Sequence, residues 1–122
     1  MPSVSIIDKK TVLSEYPMKA IVNVSDIQKE FEIRKQLMDN QPHFLIVRLH
    51  GLSVFEDKAA ELLSQKDFVE LTRAVAIVLK EDGGYVEIGK LLLERFIWTK
   101  KLETPVKLFT NSKQAMTWFS SL

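Results

Sequence analysis

Cysteine is absent from this chain of 122 residues. Its absence excludes disulfides, thiolate metal sites and a cysteine nucleophile, and it fits a reducing compartment. Charge of one sign is missing too: 17 basic against 16 acidic residues leave a net +1. That balance gives no general drive towards nucleic acid or an anionic membrane. The apolar stretches are only a few residues long, far short of the roughly 20 that span a bilayer. The start, Met1-Pro2-Ser3-Val4, has no basic segment followed by an apolar one, so no signal peptide is expected. Repeats, low-complexity tracts and linkers are not evident. The expectation is one cytoplasmic domain over residues 1–122, with no integral membrane segment.

What is present is a hydrophobic fraction of 46%. At this length roughly two-thirds of the unfolded surface can be buried, enough for one core without a metal staple. Apolar strands and amphipathic helices alternate along the chain. Residues 4–7, 12–13 and 18–24 are rich in β-formers, with Pro17 interrupting them; they read as one or two strands near a sheet edge. Ser25 with Gln28 has capping-box spacing for a helix whose apolar stripe is Ile27, Phe31 and Leu37/Met38, ended by Asn40 and Pro42. Phe44-Leu45-Ile46-Val47-Arg48-Leu49 and Ala74-Val75-Ala76-Ile77-Val78-Leu79 are almost wholly apolar, as befits central strands covered on both faces. Between them, Ser53 with Glu56 and Ser64 with Asp67 predict two capped helices.

After the Asp82-Gly83-Gly84 turn, residues 85–96 predict a helix with Ile88, Leu92 and Phe96 on its packed face. Gly89 lies inside it, at about 1 kcal/mol relative to Ala, for close packing on the sheet. Residues 98–103 read as a loop and 106–109 as the last strand. Ala115, Trp118, Phe119 and Leu122 then follow the i, i+3, i+4, i+7 spacing of a core stripe. The fold class is α/β: a four- to five-stranded, mostly parallel or mixed sheet with helices packed on it, joined by right-handed crossovers.

Three stretches carry a family resemblance: the apolar strand with its His50-Gly51 turn and the following helix; Ser64 to Leu79; and Ile88-Gly89-Lys90-Leu91-Leu92-Leu93 with Pro105-Val106-Lys107-Leu108-Phe109-Thr110 and the closing helix. Over residues 44–122 the order resembles the STAS domain of bacterial anti-sigma-factor antagonists. More closely it resembles small stand-alone bacterial STAS/Sec14-like proteins. The resemblance implies a regulatory module. In the anti-sigma antagonists an acidic residue precedes a phosphorylatable serine where a strand turns into a helix. The matching turn here, Leu49-His50-Gly51-Leu52-Ser53-Val54, lacks the Asp-Ser-Ser/Thr-Gly pattern and holds one hydroxyl, Ser53. The Sec14-like side implies an apolar cleft for a lipid, between the sheet and helix 85–96 or at a dimer interface.

The residues offer few candidates for chemistry. Ser53 is a helix N-cap bonded to the Glu56 amide or a phospho-acceptor. His50 is a turn residue or a base, with no Ser/His/Asp set to place it in. His43 is expected to be exposed beside Pro42, and the two histidines have no carboxylate spacing for a metal. Glu81-Asp82-Gly83-Gly84 has neither phosphate-loop pattern. Arg48 should pair with an acid, point to the strand's polar end or face a pocket; Lys107 should face solvent. Trp98, Lys100 and Lys101 form either a partner surface or a lid on the core with solvated lysines. The expectation is a non-enzymatic binding or regulatory module without a cofactor. It would act on a protein partner or as a homodimer. The alternatives are a small carrier of a hydrophobic ligand and, last, an enzyme using His50 with a carboxylate.

Overall fold

The computed structural model describes residues 2–16, 20–50, 53–80 and 86–122. Pro17, Gly51, the turn 81–84 and Tyr85, the expected helix start, lie outside the described residues. The elements are β1 (Ser3–Asp8), β2 (Thr11–Glu15), β3 (Ile21–Val22), α1 (Val24–Leu37), β4 (His43–His50), β5 (Val54–Phe55), α2 (Asp57–Leu62), α3 (Lys66–Leu71), β6 (Thr72–Lys80), α4 (Val86–Lys100), β7 (Val106–Phe109) and α5 (Ser112–Ser120).

The main sheet has the order β1-β2-β4-β6-β7. β1 pairs antiparallel with β2 as an edge hairpin, and the remaining pairs are parallel. β3 and β5 form a separate two-stranded parallel sheet. From β2 onward each new strand is added on the same side of the last. Right-handed crossovers in one direction put α1, α2, α3 and α4 on a single face. α5 follows the last strand and covers the opposite face, packing on β4, β6 and β7.

Both faces being covered explains the continuous apolar strands. Leu45, Val47, Leu49, Val75, Ile77 and Leu79 turn to the larger core beneath α1 and α4. Phe44, Ile46, Ala74, Ala76 and Val78 turn to the α5 side. There Ala74, Ala76 and Ala115 are fully buried. Small side chains let α5 close on the sheet, and Phe119 stacks on Phe44 at 4.6 Å.

Several helix starts differ from the sequence expectation. α1 is capped by Asn23, whose Oδ1 accepts the Asp26 N–H at 2.9 Å while Asp26 Oδ2 accepts the Asn23 N–H at 3.1 Å. Asn is as good an N-cap as Ser, so the box closes two residues before Ser25. Ser53 and Ser64 cap nothing: α2 starts after Glu56 and α3 after Gln65, neither with a side-chain cap bond. α1 ends as expected, with Asn40 left-handed at φ 55°. In α5, Ala115 and Phe119 are buried but Leu122 is exposed, because the helix has ended at Ser120.

Candidate functional site

Ligands of open α/β sheets bind outside the carboxyl ends of the strands. That edge carries Glu15 from β2, Arg48 from β4, Lys80 from β6 and Ser112, the first residue of α5. Arg48 Nη1 lies 3.4 Å and Lys80 Nζ 3.6 Å from Glu15 Oε2. Arg48 Nη2 donates to Ser112 Oγ at 2.9 Å, and Lys80 Nζ donates to the Tyr16 carbonyl at 2.8 Å. Arg48 is thus paired with an acid at the strand's polar end. The cluster ties three strands and α5 together. His50, two residues on, is half-buried, and its carbonyl accepts the Ser53 N–H at 2.9 Å.

Ser53 is buried, and its Oγ accepts the Ala20 N–H at 3.1 Å. The neighbouring Val54 N–H donates to the Ala20 carbonyl at 3.0 Å. The hydroxyl therefore fastens β3 to β5 instead of capping a helix. Its burial places it away from solvent.

The stretch expected as a loop from residue 98 is helical through Lys100. α4 also sits on the sheet by a different face from the one its spacing predicted. Gly89 and Leu93 are buried, and Phe96 stacks on Phe55 at 5.5 Å. Ile88 and Leu92, expected inside, are 52% and 51% exposed; Leu91 is 69% and Trp98 79% exposed. Gly89 and Phe96 pack inward as expected, and α4 contacts β6 and β7. Trp98 is not a lid. The three residues singled out at this end, Trp98, Lys100 and Lys101, are all exposed. Lys100 Nζ pairs with the exposed Asp57 at 3.4 Å, and Lys101 lies in the left-handed region at φ 49° after the helix.

A second feature went unseen in the sequence. Arg34 and His43 are fully buried, and Glu30, Ser14 and Thr72 nearly so. His43 therefore is not exposed beside Pro42; it is the first residue of β4 and points into the core. Arg34 Nε donates to Glu30 Oε1, which also accepts from Ser14 Oγ at 2.9 Å. Arg34 Nη1 donates to Thr72 Oγ1 at 3.0 Å and meets His43 Nε2 at 2.9 Å. Arginine can only donate, so Nε2 must accept. The proton then sits on Nδ1, which donates to the Gln41 carbonyl at 2.8 Å. Burial, with Arg34 beside it, holds His43 below its ordinary pKa and outweighs the Gln41 bond. The guanidinium also packs against the tilted pair Phe31 and Phe68, at 5.1 and 5.2 Å from their ring centres, which are 5.5 Å from each other. Burial, with Glu30 and Asp26 nearby, raises the Tyr16 phenol above its usual range.

Beneath α4 an apolar cavity of about 50 Å³ opens between the sheet and the helices, lined by Val47, Val75, Phe68, Phe96 and Thr104 among others. The buried Thr104 Oγ1 has no hydrogen-bond partner among the described residues. A space so nearly apolar offers a water too few partners to hold it. Among the described residues no three of His, Asp and Glu gather as a metal site. None of their helices is long and apolar enough to cross a membrane.

The family described as Domain of unknown function (DUF7793) matches residues 6–122. The chain belongs to this family. No curated protein and no solved structure matches it. In this DUF7793 domain the charged groups at the carboxyl edge and around Arg34 are engaged with one another, which suits holding a fold together. Large apolar side chains are exposed at Ile6, Ile7, Ile21, Leu37, Val54 and Leu122, and four more, Ile88, Leu91, Leu92 and Trp98, share the one helix α4. Their signal in the sequence was the surplus of apolar residues around that helix, more than one face can bury.

Proposed function

We propose that this DUF7793 domain is a non-enzymatic binding and regulatory module that acts through protein–protein contact, with the outward face of α4 as the contact surface. The observation that carries the reading is the row Ile88, Leu91, Leu92 and Trp98, each at least half exposed on one helix. Exposed apolar side chains on one helix face, with an aromatic and an arginine, Arg95, among them, have the composition of an interface. A bacterial, cytoplasmic, STAS-like module is the form this reading takes, and the alternation of parallel strands and helices is in keeping with its fold. Control by phosphate on Ser53 takes one form in this reading: the added group displaces the Ala20 amide and frees β3 from β5. A lipid carrier is less well supported, since a cavity of about 50 Å³ is too small for an acyl chain.

The test is affinity capture from lysate with the wild type and with Leu91→Glu, each shown by its circular dichroism melt to be folded. Loss of the same captured proteins from Leu91→Glu is the expected result. An unchanged set with Leu91→Glu and with Trp98→Ala would overturn the assignment of α4.

A further inference from the structure

We infer that the cavity beneath α4 is a binding site for a small neutral alcohol, with the alcohol's hydroxyl held by Thr104 and its carbons against the apolar wall. The site lies on the inner side of α4 and is independent of the outward face. Thr104 lines the cavity with Phe96 and Ile97 of α4, Val75 of β6 and Val106 of β7. It is only 4% exposed, and its Oγ1 has no hydrogen-bond partner among the described residues. A hydroxyl offers one donor and two acceptor positions, and leaving it unpaired in the interior is costly. Water does not repair the loss, because the rest of the wall gives a water too little to bond to. Valine has the same shape as threonine without that cost, so a threonine here points to a molecule that bonds to it. Ser14 and Glu30, also on the wall, call for no ligand: Ser14 donates to Glu30, which also accepts from Arg34.

Chemistry and size together set the class. An ionised ligand would bring its charge against apolar walls without a counter-charge, so the ligand is neutral. A water-sized atom needs roughly 10–15 Å³, so about 50 Å³ takes only a few non-hydrogen atoms. That is the size of ethanol or propanol. So few atoms also cap the affinity, and a dissociation constant on the order of millimolar is expected.

Amide NMR spectra recorded through a titration with 1-propanol test the site, with xenon as an apolar probe that has no hydroxyl. In the wild type, propanol should shift the amides around Val75, Phe96 and Thr104 and saturate in the millimolar range. Xenon should shift the same amides. Thr104→Val keeps the shape of the wall and should still take xenon, while its propanol dissociation constant rises roughly five- to tenfold. Without ligand it should melt above the wild type, because an unpaired buried hydroxyl is gone. Val75→Ile adds a methylene to the wall and should weaken both probes. Wild-type amides that neither probe moves, or that propanol moves without saturation, would overturn the site. A Thr104→Val variant that binds propanol as the wild type does, or that melts below it, would overturn Thr104 as the anchor and the alcohol with it. Binding unchanged in Val75→Ile would place the ligand outside this cavity. None of these readings involves Leu91→Glu, so failure here leaves the outward face of α4 to its own test.

Discussion

α1 and α4 lie on the same face of the same sheet and invert the usual rule in opposite ways. α1 buries an arginine, a glutamate and their polar partners where leucines would be expected. α4 leaves three large aliphatic side chains and a tryptophan in water. The burial in α1 is tolerable because Arg34 Nε and Nη1 find acceptors, leaving only Nη2 without one among the described residues, and the guanidinium packs against two rings. The exposure in α4 has no such internal compensation. One helix therefore reads as part of the scaffold, the other as a surface awaiting company.

The largest effect that could break this comparison lies in α1. Glu30→Ala strips the buried Arg34 of its counter-ion and should cost about 3–5 kcal/mol of stability in urea unfolding. Replacing both partners, Glu30→Leu with Arg34→Met, should cost far less, because a well-packed apolar pair is often neutral. If the single change costs as little as the double, the cluster is not held by charge. Next, Gly89→Leu should lose about 1–3 kcal/mol in the same assay by prising α4 off β6 and β7. A stabilised variant would mean that α4 sits elsewhere.

A smaller effect separates the two helices by pH. His43 is held below its ordinary pKa, so the unfolded chain takes up a proton that the folded chain resists. Above about pH 6.5 the residue is neutral in both states and adds no slope. As pH falls below that value, stability should fall, and His43→Gln should flatten that part of the thermal-melt profile. A slope that survives the substitution would place the pH sensitivity elsewhere. The smallest expected effect is the most telling for α4: Leu91→Glu and Leu92→Glu should each change stability by no more than about 0.5 kcal/mol. A large loss would show those leucines to be covered within the chain.

The sheet was legible in the sequence because its strands are buried on both faces. Apolar runs 44–49 and 74–79 became β4 and β6 with a residue or two added at each end, and β7 matched at both ends. The fold class followed from that alternation. The Arg34 cluster was illegible for a physical reason: its partners come from β2, β4 and β6, and a periodicity of apolar residues cannot register a buried polar face. α4 misled differently. With Ile88, Leu91, Leu92, Leu93, Phe96 and Ile97 on one helix, more than one apolar stripe can be drawn. The sheet selects the one that contains Gly89. The caps were misplaced where Asn23 stood near Ser25 and took the cap, and where Ser53 was already bonded to Ala20.

The one-way growth of the sheet has a consequence for synthesis. As the chain leaves the ribosome, each strand from β4 onward finds its neighbour already made, and the helices between them roof one face as they emerge. The other face stays bare, with Phe44, Ile46 and the alanine floor of β6 in water, until α5 arrives after Asn111. A nascent or nicked chain that stops short of α5 would present a flat, two-strand-wide apolar surface with high β-propensity. Quality control would meet that surface first, so the fate of a truncated chain is aggregation or proteolysis more than partial activity.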